Sequence, residues 1–364
     1  MMDQFITIPY MYAIIALFTL CTIICTIYFS RRLPKLFSSI MVMIGIIILF
    51  VQGVEFDLLI ESITKNLPLV ALIAIVPILS IPINLGEYHR RIASFFSKYT
   101  NKPTVLYMYT YSFFYLLGPI TNLGAIHIIH SMISRMKFPT NFLGRIYPRG
   151  FSSINTCAPY FASVFFVVYY LEIPMYQFIP YGILLSLFQF ITASTLFKLK
   201  EERDVQLEKV KNVGENEPKK MIELLCALLL LISVVFLIEP FISFNVSVLI
   251  ILAAGMFAFI WSMYLHETKR FFQQLNDFRH GFMDKQANEI ALFLSAGFFG
   301  VVLANSPMAS YINLLWSTIA NFSLILLIMF TIILISLFSF IGIHQIVIVS
   351  SILATTSASS LGVH

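Results

Sequence analysis

The sequence predicts an all-α, polytopic membrane protein of about ten membrane-embedded segments, organised as two repeat halves with re-entrant helical hairpins. Three observations lead there. The composition suits lipid rather than water, apolar runs of spanning length recur along the chain, and several runs are broken midway by Gly, Pro and small polar residues. Of the residues, 59% are hydrophobic and 11% charged, whereas a soluble domain carries about 25% charged residues. The 36 Phe and 17 Tyr suit lipid-facing and interfacial positions. The net charge of +5 is spread over short loops, so nucleic acid is not an expected partner.

The first span is read at 10–30. No basic stretch precedes it, so it is not read as a cleavable signal peptide. Arg31, Arg32 and Lys35 follow it, which places the first loop in the cytoplasm by the positive-inside rule. Spans at 36–54 and 67–85 come next, separated by an acidic stretch, 55–66, read as an external loop. Residues 87–103 put Arg90, Arg91, Lys98 and Lys102 opposite Ile92, Phe95 and Phe96, the pattern of an interfacial amphipathic helix.

The run 104–134 is longer than the ~20 residues a simple crossing needs, and it is interrupted at Gly118-Pro119. With basic residues on both flanks it reads as a re-entrant hairpin, its tip at Gly118–Gly124; a single tilted, Pro-kinked helix is the alternative. An interrupted helix is read at 146–171, carrying Ser153-Ile154-Asn155-Thr156, followed by a span at 175–197. Residues 198–220 hold seven Lys/Arg and six Asp/Glu and form a cytoplasmic linker.

The domain reading is therefore a first membrane half over 1–197, the linker 198–220 and a second half over 221–364. The second half has spans at 221–239 and 243–264 and an amphipathic piece at 266–288. A hairpin at 289–317 follows, broken at Ala304-Asn305-Ser306-Pro307, then an interrupted helix at 321–354 containing Gly342-Ile343-His344-Gln345. The halves match in the order of their parts rather than in residue identity. An inverted repeat needs 266–288 to face outward, yet counting spans returns it to the cytoplasm. Either one crossing is miscounted or the repeat is not inverted. The second half also lacks a counterpart of 175–197.

Hairpin-then-broken-helix units with Ser, Asn and Thr at the breaks make the sequence resemble the ion transporter superfamily, which includes sodium/dicarboxylate symporters and arsenite-antiporter-like proteins. The resemblance rests on Thr121-Asn122, Ser153-Ile154-Asn155-Thr156 and Asn305-Ser306, and covers about 104–197 and 289–360. It implies secondary active transport by elevator-like alternating access, coupling to Na⁺ or H⁺, and a homodimer. Paired interrupted segments are also the sequence feature that points to a transporter's binding site.

Thr121, Asn122, Ser153, Asn155, Thr156, Asn305, Ser306 and His344 are accordingly the expected substrate- or ion-binding residues. Their hydroxyl and amide groups offer polar contacts at membrane depth without the cost of a buried charge. They could equally satisfy kinked backbone or bridge helices, and His344 could serve as a proton relay or an interhelical hydrogen bond. Arg145 and Arg149 could clamp an anion, but snorkelling interfacial anchors are the favoured reading. His127 and His130 share a helix face, with no carboxylate or thiolate nearby to complete a metal site. Cys21, Cys25, Cys157 and Cys226 have no metal-like spacing.

No catalytic residues, metal or cofactor are expected beyond a coupling Na⁺. No nucleotide-binding loop is present. The expected partners are membrane lipid and a small anionic solute. The Ile-, Phe- and Lys-rich composition fits a bacterial genome and hence the bacterial cytoplasmic membrane. The alternative function is a membrane-embedded enzyme or permease subunit acting on a lipid-linked substrate.

Overall fold

The structure, a computed structural model, describes residues 11–53, 55–88, 99, 101–121, 129–130, 138–158, 161–171, 173–202, 205, 218–241, 246–340, 345, 348–349 and 352. Lipid gives a backbone no hydrogen-bond partners, so apolar segments this long must satisfy themselves as helices or as a closed barrel. Among the described residues the outcome is helix throughout, with no strand.

The helices are α1 (Met11–Phe29), α2 (Arg32–Gln52), α3 (Phe56–Thr64), α4 (Leu67–Ile75), α5 (Ser80–Leu85), α6 (Pro103–Thr121), α7 (Thr140–Cys157) and α8 (Ala162–Leu171). They continue as α9 (Met175–Leu196), α10 (Pro218–Ile238), α11 (Val246–Tyr264), α12 (Thr268–His280), α13 (Phe282–Ala304), α14 (Pro307–Phe322) and α15 (Leu324–Phe340). Short 3₁₀ turns, Val76–Leu79 and Glu239–Phe241, join α4 to α5 and extend α10, and a wide turn, Phe197–Glu201, extends α9.

Among the described residues, six helical stretches are long and apolar enough to cross a bilayer: Met11–Phe29, Arg32–Gln52, Phe56–Leu85, Met175–Glu201, Ile222–Phe241 and Gln286–Ala304. Val248–Tyr264 and Leu324–Phe340 are shorter apolar helices. Their outward faces are apolar as well. Phe18, Phe188 and Tyr181 are exposed, and α15 buries no residue at all. Water would not tolerate that much exposed apolar surface on a monomer. The chain is an all-α, multi-pass membrane protein.

The helices fall into two compact units. One groups the described residues within Met1–Ile73, Tyr170–Glu172 and His280–His364. Helix α13 is its core: 78% of its spanning window is buried, against 22% for α1 and for α2, which pack around it with α3. Small residues allow the close approach. A Cβ at Gly45 on α2 would strike the Phe298 ring of α13, and one at Gly297 would strike Asn66. Asn66, itself buried, donates Nδ2 to the Phe293 carbonyl at 2.7 Å and accepts the Tyr170 hydroxyl at 2.8 Å. The Ser30 hydroxyl donates to the Ala287 carbonyl at 3.2 Å, and the Arg31 amide to Asn288 Oδ1 at 2.8 Å.

The other unit comprises the described residues within Ala74–Tyr169 and Ile173–Arg279. In it α6, α7 and α9 pack together, while α11 packs on α5, on the preceding 3₁₀ turn and on α10.

Several elements differ from the sequence reading. Residues 55–66, read as a loop, form α3: Asp57 in its first turn suits the positive end of the helix dipole, and Ser62 and Ile63 are buried. The span at 67–85 is not one continuous α-helix but is interrupted by the 3₁₀ turn at Pro77. Gly118-Pro119 does not end α6, which continues to Thr121. The rest of that hairpin tip, 122–124, the amphipathic stretch at 89–98 and most of the linker 198–220 lie outside the described residues. Within the stretch 146–171, α7 stops at Cys157 before extended Ala158, and at the expected break Asn305-Ser306 α13 gives way to α14. The amphipathic piece at 266–288 contains α12, which buries Phe271.

Candidate functional site

The second unit contains a buried polar lane. Tyr107, Tyr111 and Tyr115 recur every four residues on α6, and Arg149 and Ser153 do so on α7, so each set lies along one helix face. The faces meet each other and α9. The lane begins at an ion pair: Arg149 grips the Glu201 carboxylate with both guanidinium nitrogens, Nη1 to Oε2 at 2.9 Å and Nη2 to Oε1 at 2.8 Å. Arg145 adds Nη1 to the Glu201 carbonyl at 3.2 Å and places Nε 3.7 Å from Oε2. Tyr107 stacks on Phe197, its ring centroid 4.2 Å away, and its hydroxyl lies 3.5 Å from Arg149 Nη1.

One turn further along α6, the Tyr111 hydroxyl bonds the buried Ser153 hydroxyl. Ser153 Oγ also lies 3.1 Å from the Arg149 carbonyl, which can only accept. The single serine proton therefore goes to that carbonyl, and Tyr111 donates to Ser153. One turn further again, the Tyr115 hydroxyl donates to the Ser186 carbonyl at 2.6 Å.

The lane ends at the break between α7 and α8. A helix end leaves backbone carbonyls without intrahelical partners, and Ser163 Oγ reaches back from the first turn of α8 to one of them, Asn155, at 2.9 Å. Thr156 Oγ1 bonds within the helix, donating to the Ser153 carbonyl one turn earlier at 2.7 Å. Glycines hold this region tight. A Cβ at Gly182 on α9 would overlap the Thr156 carbonyl oxygen, and one at Gly150 would overlap the Phe114 ring.

The predicted residues divide between the units. Ser153, Asn155 and Thr156 fall together in the last two turns of α7, and Thr121 is the final residue of α6. Asn122 and His344 lie outside the described residues. Asn305 and Ser306 form the junction of α13 and α14 in the other unit. Asn305 Nδ2 donates to the Val301 carbonyl at 2.9 Å, and Ser306 Oγ to the Leu303 carbonyl at 2.7 Å, so both side chains close the end of α13. Pro307 then starts α14 at a position whose N–H would have no helical partner in any case.

Sequence reasoning missed the tyrosines and Glu201. Glu201 falls in the stretch 198–220 that the sequence presents as a cytoplasmic linker, but α9 extends past Phe197 and brings it to Arg149. The four-residue recurrence of Tyr on α6 was the available signal. His130 Nδ1 meets the Tyr147 hydroxyl at 2.8 Å, and His127 lies outside the described residues. Among the described residues no group of three His, Cys, Asp or Glu side chains is placed to hold a metal ion.

No family model matches the chain, and no curated protein or solved structure matches it. The class of the protein therefore rests on its fold: an all-α, multi-pass membrane protein with a buried polar lane ending at a helix break.

Proposed function

We propose that the protein is a secondary active transporter that moves a small polar, anionic solute across a bacterial cytoplasmic membrane, coupled to Na⁺ or H⁺, by elevator-like alternating access. The observation that supports this most is the polar lane of Tyr107, Arg149, Tyr111, Ser153 and Tyr115, which leads to the interrupted helix α7–α8. Irregular backbone at membrane depth persists where it lines a cavity or lies within protein, and interrupted helices supply the polar backbone ends that transporters use for solutes and ions.

Each group has a role in this reading. Arg149 is already neutralised by Glu201, so the pair anchors one end of the lane and does not supply the anion's counter-charge. The solute's negative charge is met instead by the helix N-terminus at the α7–α8 break, where backbone amides concentrate positive charge. The hydroxyls of Ser153 and Thr156 and the amide of Asn155 supply neutral oxygens for solute or Na⁺. Asn305 and Ser306 hold the second break in shape.

The test is ligand-dependent melting of the purified protein in detergent. NaCl is compared with choline chloride against a panel of dicarboxylates, tricarboxylates, sugar acids, amino acids and oxyanions. A ligand at a hundred times its Kd that binds only the folded state adds about 2.7 kcal/mol. The expected result is a rise with one anion class that Thr156→Val abolishes. No rise with any soluble anion, together with a rise from lipid-like headgroups that Thr156→Val abolishes, replaces the transporter by an enzyme or permease subunit acting on a lipid-linked substrate.

A further inference from the structure

A groove between α10 and α11 is no part of the lane described above. It has a volume of about 600 Å³ and is apolar for most of its length, walled by Ile222, Cys226 and Leu230 from α10 and Phe257 and Ile260 from α11. Its mouth differs in chemistry, carrying Lys219, Glu223, Trp261 and Tyr264.

Most of the polar groups at the mouth are committed to one another. Tyr88 donates its hydroxyl to Glu223 Oε1 at 2.6 Å, and Lys220 Nζ sits 2.8 Å from Glu223 Oε2. The same ammonium lies over the Tyr88 ring at 5.4 Å, and that ring packs against Trp261 at 5.8 Å between centroids. Burial, reinforced by the Glu223 hydrogen bond, raises the Tyr88 phenol above the ordinary tyrosine range, so it remains a donor. Lys220 neutralises Glu223, and Lys219 is the remaining positive charge among the described residues that line the mouth.

The depth of the groove is informative. From Lys219 to Leu230 is eleven residues (230 − 219), about 16 Å of helix at ~1.5 Å per residue. That is about half of the ~30 Å hydrocarbon core, the depth of one leaflet. Trp261 and Tyr264 lie at the lysine end, where aromatic side chains mark the membrane–water boundary. A slot one leaflet deep, apolar along its wall and cationic at its interfacial end, matches a lipid with a negative headgroup. A zwitterionic lipid fills the wall equally well but brings no net charge to Lys219.

We infer that the groove between α10 and α11 is a binding site for an anionic phospholipid, with one acyl chain lying along Ile222, Cys226 and Leu230 and the phosphate at Lys219.

Trp261 is a built-in reporter. The chain has two tryptophans, and the other, Trp316, buries its indole N–H with no hydrogen-bond partner among the described residues, so Trp316→Phe keeps an aromatic ring against Phe330 and leaves one fluorophore beside the groove. That single-tryptophan protein is reconstituted in phosphatidylcholine containing a minor fraction of phosphatidylglycerol. Brominated acyl chains are carried first by one lipid and then by the other. Quenching by brominated phosphatidylglycerol should exceed its mole fraction, with an enrichment of roughly fivefold, the effect of about one lysine at an anionic surface. Lys219→Gln should return quenching to the mole fraction. Lys269→Gln, an exposed charge on α12, should leave it enriched. Quenching in simple proportion to mole fraction, or enrichment that survives Lys219→Gln, overturns the assignment. The readout needs no transport activity, so it stands or falls apart from the transporter reading.

Discussion

Gly182 is the position where one added methyl group tests the packing of the lane most sharply. It lies inside α9, where Gly is less favourable than Ala by roughly 0.5–1 kcal/mol, so Gly182→Ala on an open helix would stabilise. Here the new Cβ overlaps the Thr156 carbonyl oxygen and stands 3.1 Å from the Thr156 carbonyl carbon and 3.2 Å from Cys157 Cα. All three are backbone atoms, so no side chain can rotate away. Carbon and carbonyl oxygen need about 3.3–3.6 Å, which requires α7 and α9 to part by ~1 Å. Overpacking of this kind costs about 1–3 kcal/mol. Net of the helix gain, the loss centres on about 1 kcal/mol and reaches about 2.5 kcal/mol at most, or roughly 2–5 °C in melting temperature at about 2 °C per kcal/mol. Gly144 on α7 is the matched control, because a Cβ there meets nothing within 4 Å among the described residues. Gly144→Ala should therefore raise the melting temperature by about 1–2 °C. The assay is thermal unfolding in detergent for the two variants side by side, then repeated with the stabilising anion. Gly182→Ala should also lose the ligand-induced rise, because the displaced atoms are those at the α7 break. If Gly182→Ala melts at or above the wild type, the tight α7–α9 crossing is wrong.

Three further outcomes follow. In a double-mutant cycle with Arg149→Met and Glu201→Gln, each single change should cost about 2 kcal/mol and the double distinctly less than the sum, because the side chains are only 32% and 18% exposed and Arg149→Met leaves Glu201 only the longer Arg145 contact, while Glu201→Gln removes the carboxylate from Arg149; additive losses measured by thermal unfolding would mean a solvated pair of little worth. Asn66→Ala removes the buried donor to the Phe293 carbonyl and should destabilise by about 1–3 kcal/mol in the same assay, whereas Asn288→Ala, which removes one acceptor from an exposed amide, should cost under about 1 kcal/mol. Tyr111→Phe removes the donor to Ser153 but leaves the serine its bond to the Arg149 carbonyl; it should cost about 1 kcal/mol of stability, read by denaturation, and weaken anion-induced stabilisation less than Thr156→Val does.

The apolar helices were legible because lipid imposes one rule on every spanning segment, and runs such as Met11–Phe29 and Met175–Leu196 obey it along their length. The break at Asn305-Ser306 was legible for a local reason: Pro307 cannot continue a hydrogen-bond ladder, and Asn and Ser readily close a helix end. Helix α3 was not, because its acidic residues were read as solvent exposure rather than as company for a helix N-terminus. Gly118-Pro119 misled in the other direction. Composition alone cannot tell a turn from a glycine that makes room for a neighbour, and here a Cβ at Gly118 would collide with Ile154 of α7. Of the site, Ser153 and Thr156 were chosen for their hydroxyls, but their partners, Tyr111 and the Ser153 carbonyl, depend on packing and on helix register that residue type does not state. Glu201 sits 52 residues from Arg149 in sequence, and only the continuation of α9 past Phe197 brings them together.

The most direct measurement is uptake by the purified protein in proteoliposomes, using the anion that stabilises it, with and without an imposed Na⁺ or proton gradient. A secondary transporter should show accumulation that depends on one of those gradients, collapses when the gradient is dissipated and is lost in Thr156→Val. Anion binding with no gradient-driven accumulation in intact, correctly inserted vesicles would contradict that assignment.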